Sequence, residues 1–333
     1  MKKLNSSDTA EKSAPAPLTY NLNCGITQSM LGTFLTCRHK AWMNLQGWTQ
    51  SLPSGNFDFG NLIHALLEEY HTPSSPPACI FQANKSIARW HKEQQAAGPI
   101  DAEALESDET IAEVVMAQYQ EQWALRDKNI SFIALEQPFD VQWRVRWSGY
   151  RLRGKVDGIL RFNKSPGKVW LWETKTKSQI SEDAMEDCLQ YDFQNLFYLT
   201  ALKQLGYPVA GCVYNILRKP GLKRGKNEDL AAFSKRLRCD IENRRDHYFR
   251  RYELVYTPAT VARFEEELEN KLDDFIACID GESLWYHNEG ACIGRGNCPF
   301  IRHCASMSTV GFSQSRKLFE EIGDGTPLAP YKA

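Results

Sequence analysis

The chain has 333 residues, of which 42% are hydrophobic and 24% are charged, and its formal net charge is −1. This composition is typical of a globular protein with a substantial core, and the charge excludes a protein that holds nucleic acid by overall positive charge. No run of about 18 apolar residues is present, and none follows the Met-Lys-Lys start, so we expect a cytoplasmic protein without a membrane span or a secretory signal.

The N-terminal part predicts a disordered tail followed by helices. Residues 1–20 are polar and contain Ala-Pro-Ala-Pro at 14–17, which is typical of a disordered segment. Thr27 or Ser29 can cap the first helix. A Pro- and Ser-rich stretch over 71–78 predicts a break. The predicted helices cover 27–45, 59–70, 83–96 and 108–126.

The pattern then changes to strands. Residues 133–162 are rich in Val, Trp, Tyr and Phe and predict two or three antiparallel strands, with a turn near 147–149. Thr257 followed by Pro258 is a typical helix start. The remaining predicted elements are a strand over 169–175, a long helix over 182–205, a strand over 209–216 and a helix over 257–280.

Two predicted strands carry acidic residues. Asp157 lies in Gly-Lys-Val-Asp-Gly-Ile-Leu at 154–160, and Glu173 and Lys175 follow Val-Trp-Leu-Trp. Side chains alternate across a strand, so Glu173 and Lys175 share one face. Charges in apolar strands are costly unless they are paired or bind a metal. Two carboxylates beside an ammonium therefore predict a divalent-metal site for phosphodiester hydrolysis; the alternative is a set of solvated strand residues.

The order of these strands and of the helix that follows resembles the PD-(D/E)xK nuclease superfamily, and within it the RecB-like branch, over about 27–308. The resemblance implies an α/β, restriction-endonuclease-like core, in which helices flank a mixed central β-sheet, with a helical N-terminal part and a Cys-rich C-terminal tail. The implied organisation is a tail over 1–20, a helical part over 21–130, a catalytic core over 131–256, a helix with the Cys segment over 257–310, and an extension over 311–333. The three middle parts form one nuclease domain over 21–310.

Further motifs carry this resemblance. Gly60 and His64 resemble the family's Gly-x-x-x-His helix, and Glu136 resembles an acidic residue before its β-hairpin. The alternatives are a hydrogen-bonded core histidine and a surface carboxylate. The resemblance implies that Lys175 orients the attacking water or stabilises developing charge. The implied ligands of Mg²⁺ or Mn²⁺ are the side chains of His64, Asp157 and Glu173 and the main-chain carbonyl of Thr174.

Two regions are candidates for DNA contacts. Gln194 and Tyr198 resemble the family's Gln-x-x-x-Tyr motif, which implies contact with the DNA backbone or support of the site; a half-buried amphipathic helix is the alternative. Lys223 and Arg224 belong to five cations in nine residues over 218–226, which predict either a phosphate-tracking loop or a solvated one. Later arginines interleave with aromatic residues, as in single-strand stacking surfaces or ordinary packing. These are Arg236, Arg238, Arg244, Arg245, Arg250 and Arg251.

Ten cysteines are present, and three of them fall within thirteen residues near the C-terminus. With Cys37, the three resemble the ligands of the 4Fe–4S cluster of RecB-like nucleases, although the first gap is five residues long where the family has two. The alternatives are a structural Zn²⁺ site, with His303 as a further ligand, and unrelated thiols. The implied cluster ligands are Cys37, Cys292, Cys298 and Cys304.

The resemblance implies a metal-dependent DNA nuclease, and we expect an exonuclease on single- or double-stranded ends in recombination, repair or phage DNA metabolism. One alternative is a catalytically silent DNA-end-binding or partner subunit on the same fold. Another is a hydrolase of RNA or nucleotides. No Gly-x-x-x-x-Gly-Lys-[Ser/Thr] loop is present, so ATP-driven unwinding would need a helicase or recombination partner.

Overall fold

The computed structural model describes residues 20–50, 59–72, 92, 102–145, 148–177, 185–293, 298–314, 322 and 325–332. The predicted tail at 1–20 lies outside these residues except for Tyr20. The predicted helix over 83–96 lies outside them except for residue 92. No helix within the described ranges is long and apolar enough to cross a membrane.

Helices dominate the described N-terminal part. Thr27 caps the first of them, because its Oγ1 accepts a hydrogen bond from the Met30 amide at 3.2 Å, as its sequence position predicts. Cys37 stands at the junction between the first two helices. The helices are α1 (Gln28–Thr36), α2 (Arg38–Leu45), α3 (Phe59–His71) and α4 (Ala102–Asp127).

The described strands form one mixed sheet and one small two-stranded sheet. The strands are β1 (Ile26–Thr27), β2 (Trp48–Gln50), β3 (Ile130–Val145), β4 (Ser148–Phe162), β5 (Val169–Lys177), β6 (Val209–Arg218), β7 (Phe249–Val255) and β8 (Phe312–Gln314). The large sheet has the order β1-β4-β5-β6-β7, with β3 paired to β4. In it β5 and β6 are parallel, as are β1 and β4, and the other pairs are antiparallel. This arrangement confirms the predicted α/β class with a mixed central sheet flanked by helices.

The prediction of one long helix over 182–205 is wrong. The chain is extended at Asp192, whose Oδ1 accepts a hydrogen bond from the Asn195 amide at 2.8 Å and so caps a new helix. A helix over Leu230–Asn243 and the strand β7 were not predicted from the sequence. The remaining helices are α5 (Met185–Leu189), α6 (Phe193–Gln204), α7 (Leu230–Asn243), α8 (Arg245–Tyr248), α9 (Pro258–Ile279) and α10 (Ile301–Ser306).

Apolar layers cover both faces of the large sheet. Buried side chains of α1, α6 and α9 pack on one face, and those of α3, α4 and α7 form a second core cluster. Alternation along β5 sends Leu171 into the first layer, while Trp172 joins a small cluster on the other side. Glu173 and Lys175 lie two and four residues after Leu171, so their side chains point to the same face of the sheet, which α6 covers.

Candidate active site

The end of β5 carries a buried carboxylate beside an ammonium. Glu173 has 0% relative exposure, and Lys175 Nζ forms an ion pair with its Oε1. Gln194, at the start of α6, bridges the two residues: its Nε2 donates to Glu173 Oε1 at 2.9 Å, and its Oε1 accepts from Lys175 Nζ at 2.9 Å. The first turn of α6 therefore fixes the relative position of the carboxylate and the ammonium.

Asp157 on β4 faces the same region. Its Oδ2 accepts a hydrogen bond from the Thr174 main-chain amide at 2.7 Å. The backbone pairing of β4 with β5 runs from Leu160 with Trp170 to Gly158 with Trp172. Asp157 follows this paired segment, and its carboxylate accepts the hydrogen bond of the Thr174 amide.

His64 reaches the site from α3, whose apolar stripe buries Leu62, Ile63, Leu66 and Leu67. Its Nδ1 lies 3.6 Å from Asp157 Oδ2 and 3.3 Å from Glu136 Oε1. The ligand atoms of His64, Glu136 and Asp157 lie within 4.8 Å of one another and can hold a metal ion. Residues from α3, β3, β4 and β5 thus meet at one point.

The electrostatics of this site favour a bound cation. Burial raises the pKa of Glu173 to about 8, and the Asp157 carboxylate adds to this rise against the opposing effect of Lys175. Burial also raises the pKa of Asp157. Burial lowers the pKa of His64, but the Glu136 hydrogen bond and the surrounding carboxylates outweigh it and raise that pKa to about 9. Burial therefore disfavours the ionised forms of Glu173 and Asp157, which a bound cation would stabilise.

The side chains present fit Mg²⁺ or Mn²⁺. Glu173 Oε2 is buried and has no hydrogen-bond partner, although an unpaired buried carboxylate oxygen is costly. Carboxylate oxygens are the ligands that these hard cations prefer. An ion that contacts Glu173 Oε2 would satisfy this atom and stabilise the ionised carboxylate.

Comparison with known proteins identifies the family. A family model for the PD-(D/E)XK nuclease superfamily matches residues 26–305. The chain belongs to the PD-(D/E)XK nuclease superfamily. No curated protein matches it significantly.

Two solved structures resemble the chain only distantly. A protein of Eubacterium rectale named as a candidate exonuclease is 13% identical with a TM-score of 0.47, over 88% of this chain and 95% of that one. A structure named SSO0001 is 12% identical with a TM-score of 0.32, over 73% of this chain and 91% of that one.

The two residues predicted from the superfamily's Gln-x-x-x-Tyr motif occupy different environments. Gln194 contacts the ion pair at the end of β5. Tyr198 is only 8% exposed, and its ring packs edge-on against Phe139 at 5.5 Å between centroids. The structure therefore brings Gln194 to the site and places the ring of Tyr198 in the core, where it supports the fold beneath.

The predicted basic loop is partly neutralised by acidic partners. Arg224 Nε donates to the Glu228 carbonyl at 2.7 Å, and its Nη1 lies 3.8 Å from Glu106. Lys223 is exposed, and its carbonyl accepts a hydrogen bond from Arg236 at 2.9 Å. DNA contact by Lys223 and Arg224 stays a prediction, with Lys223 the more accessible cation.

The predicted cysteine ligands approach one another. The amide of Cys298 donates to the Cys292 carbonyl at 3.2 Å. Burial raises the pKa of Cys304, and the nearby Cys298, Cys292 and Cys37 raise it further. The Asn288 amide donates to Cys37 Sγ at 3.4 Å, and Cys292 Sγ donates to the Asn288 carbonyl at 3.7 Å, so these cysteines lie in one region near the α1–α2 junction.

Two histidines that sequence reasoning missed lie at the same place. The ligand atoms of His39, His287 and Cys304 lie within 4.8 Å of one another. His39 Nε2 is buried without a hydrogen-bond partner. The position of His39, two residues after the predicted ligand Cys37, could have identified it as a candidate ligand from the sequence. His303, named as an alternative zinc ligand, stacks on His39 at 5.7 Å between ring centroids, and its Nδ1 lies 3.1 Å from the Ser308 carbonyl.

Proposed function

We propose that this chain hydrolyses phosphodiester bonds in DNA with Mg²⁺ or Mn²⁺, as an exonuclease on linear DNA in recombination, repair or phage DNA metabolism. The observation that carries the proposal is the buried, unpartnered Glu173 Oε2 beside Asp157 and Lys175. Most buried polar atoms in folded proteins have a partner, and a bound cation would supply one to this oxygen. Superfamily membership supports the nucleic-acid substrate.

Each residue has a defined part in the proposed reaction. The side chains of Asp157, Glu173 and His64 and the Thr174 carbonyl would hold the ion, which polarises a scissile phosphate and lowers the pKa of a bound water. The hydrogen bond from the Thr174 amide keeps Asp157 in place. Lys175, held by Glu173 and Gln194, presents a fixed ammonium that orients the water or stabilises charge developing on the phosphate.

We further propose that the C-terminal cysteines hold a structural metal. The cluster proposal uses the thiolates of Cys37, Cys292, Cys298 and Cys304 for 4Fe–4S; a Zn²⁺ ion is the alternative. The contacts of Cys37 and Cys292 with Asn288 support a link between the N-terminal helices and the tail. Such a link is consistent with one nuclease domain over 21–310. A separate helicase or recombination protein would supply unwound DNA ends to this domain.

The experiment compares end-labelled linear DNA, single- and double-stranded, with closed circular DNA, at saturating Mg²⁺ or Mn²⁺. We expect the linear substrates to be degraded and the circles to be spared, and Glu173→Gln to bind DNA without cleaving it. Equal cleavage of circles would contradict the exonuclease assignment. A folded wild-type protein that binds ends and cuts nothing would favour the silent subunit, and preferential cleavage of RNA would favour the RNA-directed hydrolase.

A further inference from the structure

A cavity of about 490 Å³ lies between the start of α4, the basic segment that follows β6 and the start of α7. We call it the α4–α7 cavity. Its apolar lining, made by Ile111, Leu222 and Phe233, is continuous with the second core cluster. Three cations and two carboxylates also line it. These are Lys219, Lys223, Arg224, Glu103 and Asp108.

The cations of this cavity differ in how far carboxylates neutralise them. Lys219 Nζ lies 2.7 Å from Asp108 Oδ1, and Arg224 Nη1 lies 3.8 Å from Glu106 Oε2. Lys223 is exposed, and none of the ion pairs among the described residues uses its ammonium. The cavity therefore combines an apolar interior with a positive rim at Lys223, which suits a ligand with an uncharged part and an anionic part.

The sheet places this cavity next to the end of β5. The parallel strands β5 and β6 pair Lys175 with Ile216 and Lys177 with Arg218, and the Lys219 amide donates to the Lys177 carbonyl at 3.0 Å. The segment that lines the cavity therefore begins about 10 Å along the strand from Lys175. The carboxyl ends of parallel strands are where open α/β sheets bind their ligands.

The helix α3 connects the cavity with His64. Lys219 Nζ lies 4.5 Å from the centre of the Phe59 ring, and Phe59 is the first residue of α3. His64 follows on the same helix, about 7.5 Å along its axis. A DNA strand whose scissile phosphate lies at the carboxylates of the active site would therefore reach the cavity with a neighbouring nucleotide.

The size and chemistry of the cavity favour one unpaired nucleotide. A volume of about 490 Å³ is typical of pockets for small organic ligands, and a duplex is too wide to enter it. A base inside a duplex is stacked and paired, so an unpaired base enters such a pocket at a much lower cost. Apolar contacts with Ile111 and Leu222 would tolerate any base, and Lys223 would hold the phosphate.

We propose that the α4–α7 cavity binds an unpaired nucleotide of the strand being cleaved, with its base against Ile111 and Leu222 and its phosphate against Lys223, and thereby makes single-stranded ends the preferred substrate. The inference rests on the proposed function and names the strand state of the DNA that the same active site takes. Duplex ends would be cleaved only after they are unwound.

The test measures DNA binding by the full-length protein in chelator, which keeps the DNA intact. A single-stranded oligonucleotide carries 2-aminopurine at one position at a time; this base fluoresces weakly while it is stacked on its neighbours and brightly when it is unstacked. We expect the fluorescence to rise at one position. We also expect single strands to bind about 10-fold more tightly than duplexes of the same sequence.

Two glycines provide matched variants. Gly221 lines the cavity, and an added Cβ there would meet no atom within 4 Å, so Gly221→Glu introduces a carboxylate without a clash. It should abolish the rise in fluorescence and weaken single-strand binding about 10-fold. Gly167→Glu is the control, because Gly167 is also exposed with open space around it but lies in the turn before β5, at the other end of that strand from Lys175. This control should behave as wild type.

The phosphate contact has a separate readout. Lys223→Met should make the slope of log affinity against log salt concentration less steep by about 0.7 on single strands. An unchanged slope would show that Lys223 holds no phosphate of the bound strand and would contradict the proposed orientation.

Three results would overturn the inference. A rise in fluorescence at no position, or an undiminished rise in Gly221→Glu, would show that no base enters the cavity. Equal wild-type affinity for single strands and duplexes would exclude the selection. Equal losses in Gly221→Glu and Gly167→Glu would show that the added charge acts from any place on the surface. Single-strand binding with the rise in fluorescence but no cleavage in Mn²⁺ would overturn only the nuclease, whereas metal-dependent cleavage without that rise would overturn only the cavity.

Discussion

Removal of the Asp127 carboxylate should be among the most destabilising single changes in this protein. Arg251 on β7 forms a two-pronged ion pair with Asp127 at the end of α4, and the two side chains are only 9% and 11% exposed. The guanidinium also donates to Tyr119 Oη at 2.7 Å and to Asn215 Oδ1 at 3.1 Å. Asp127→Ala would leave this cation buried without its counter-charge.

The magnitude follows from the surroundings of Arg251. Breaking a buried ion pair by removing one partner costs about 3–5 kcal/mol. The neutral hydrogen bonds to Tyr119 and Asn215 remain, and the guanidinium stacks 4.1 Å from the Trp123 ring and 4.8 Å from the Trp172 ring, which offsets part of the loss. We therefore expect the free energy of unfolding to fall by about 3 kcal/mol.

Urea denaturation at neutral pH measures this change. The control is Glu267→Ala, which removes the partner of Lys271 and Arg263 on the exposed side of α9 and should cost less than about 1 kcal/mol. A double variant, Asp127→Leu with Arg251→Met, should recover most of the stability, because it removes both charges. Equal losses in Asp127→Ala and Glu267→Ala would refute this reasoning.

Three further predictions concern the two metal sites. The pKa of Glu173 is raised to about 8 and that of His64 to about 9, so cation binding at pH 7 should release protons, and affinity should rise with pH through this range. Calorimetry in buffers of different ionisation enthalpy measures the release, and a result of no released protons would contradict the prediction. Gln194→Ala should lower cleavage about 10- to 100-fold, whereas Tyr198→Phe should leave it near wild type; similar losses in both would contradict the bridging role of Gln194. Cys298→Ser should remove iron, sulfide and visible absorption from the purified protein, while His287→Ala keeps them. Loss of the metal in His287→Ala but not in Cys298→Ser would show that the histidines hold it.

The sequence predicts most of the elements that carry the site, because local patterns determine them. The alternation after Val169 places Glu173 and Lys175 on one face, and the ion pair between them in the structure confirms it. The helix start at Thr257 is confirmed, with its Oγ1 accepting from the Thr260 amide at 3.1 Å. These features depend on neighbours a few residues away, which a sequence shows directly.

Features that depend on distant partners were not predictable in the same way. Arg251 belongs to a basic cluster in the sequence, yet it is buried against Asp127, 124 residues away. The Lys155–Glu136–His64 chain joins three separate elements. The missed helix α7 had an available local signal, since Phe233, Leu237 and Ile241 recur every four residues behind the capping Asp229.

The most direct test of the central claim is cleavage of end-labelled linear DNA by wild type and by Lys175→Ala, side by side, with Mn²⁺ and with chelator. The account predicts metal-dependent degradation by wild type and its loss in Lys175→Ala, while both proteins stay folded and bind DNA. Equal degradation by Lys175→Ala, or by wild type in chelator, would contradict a metal-dependent reaction at the end of β5.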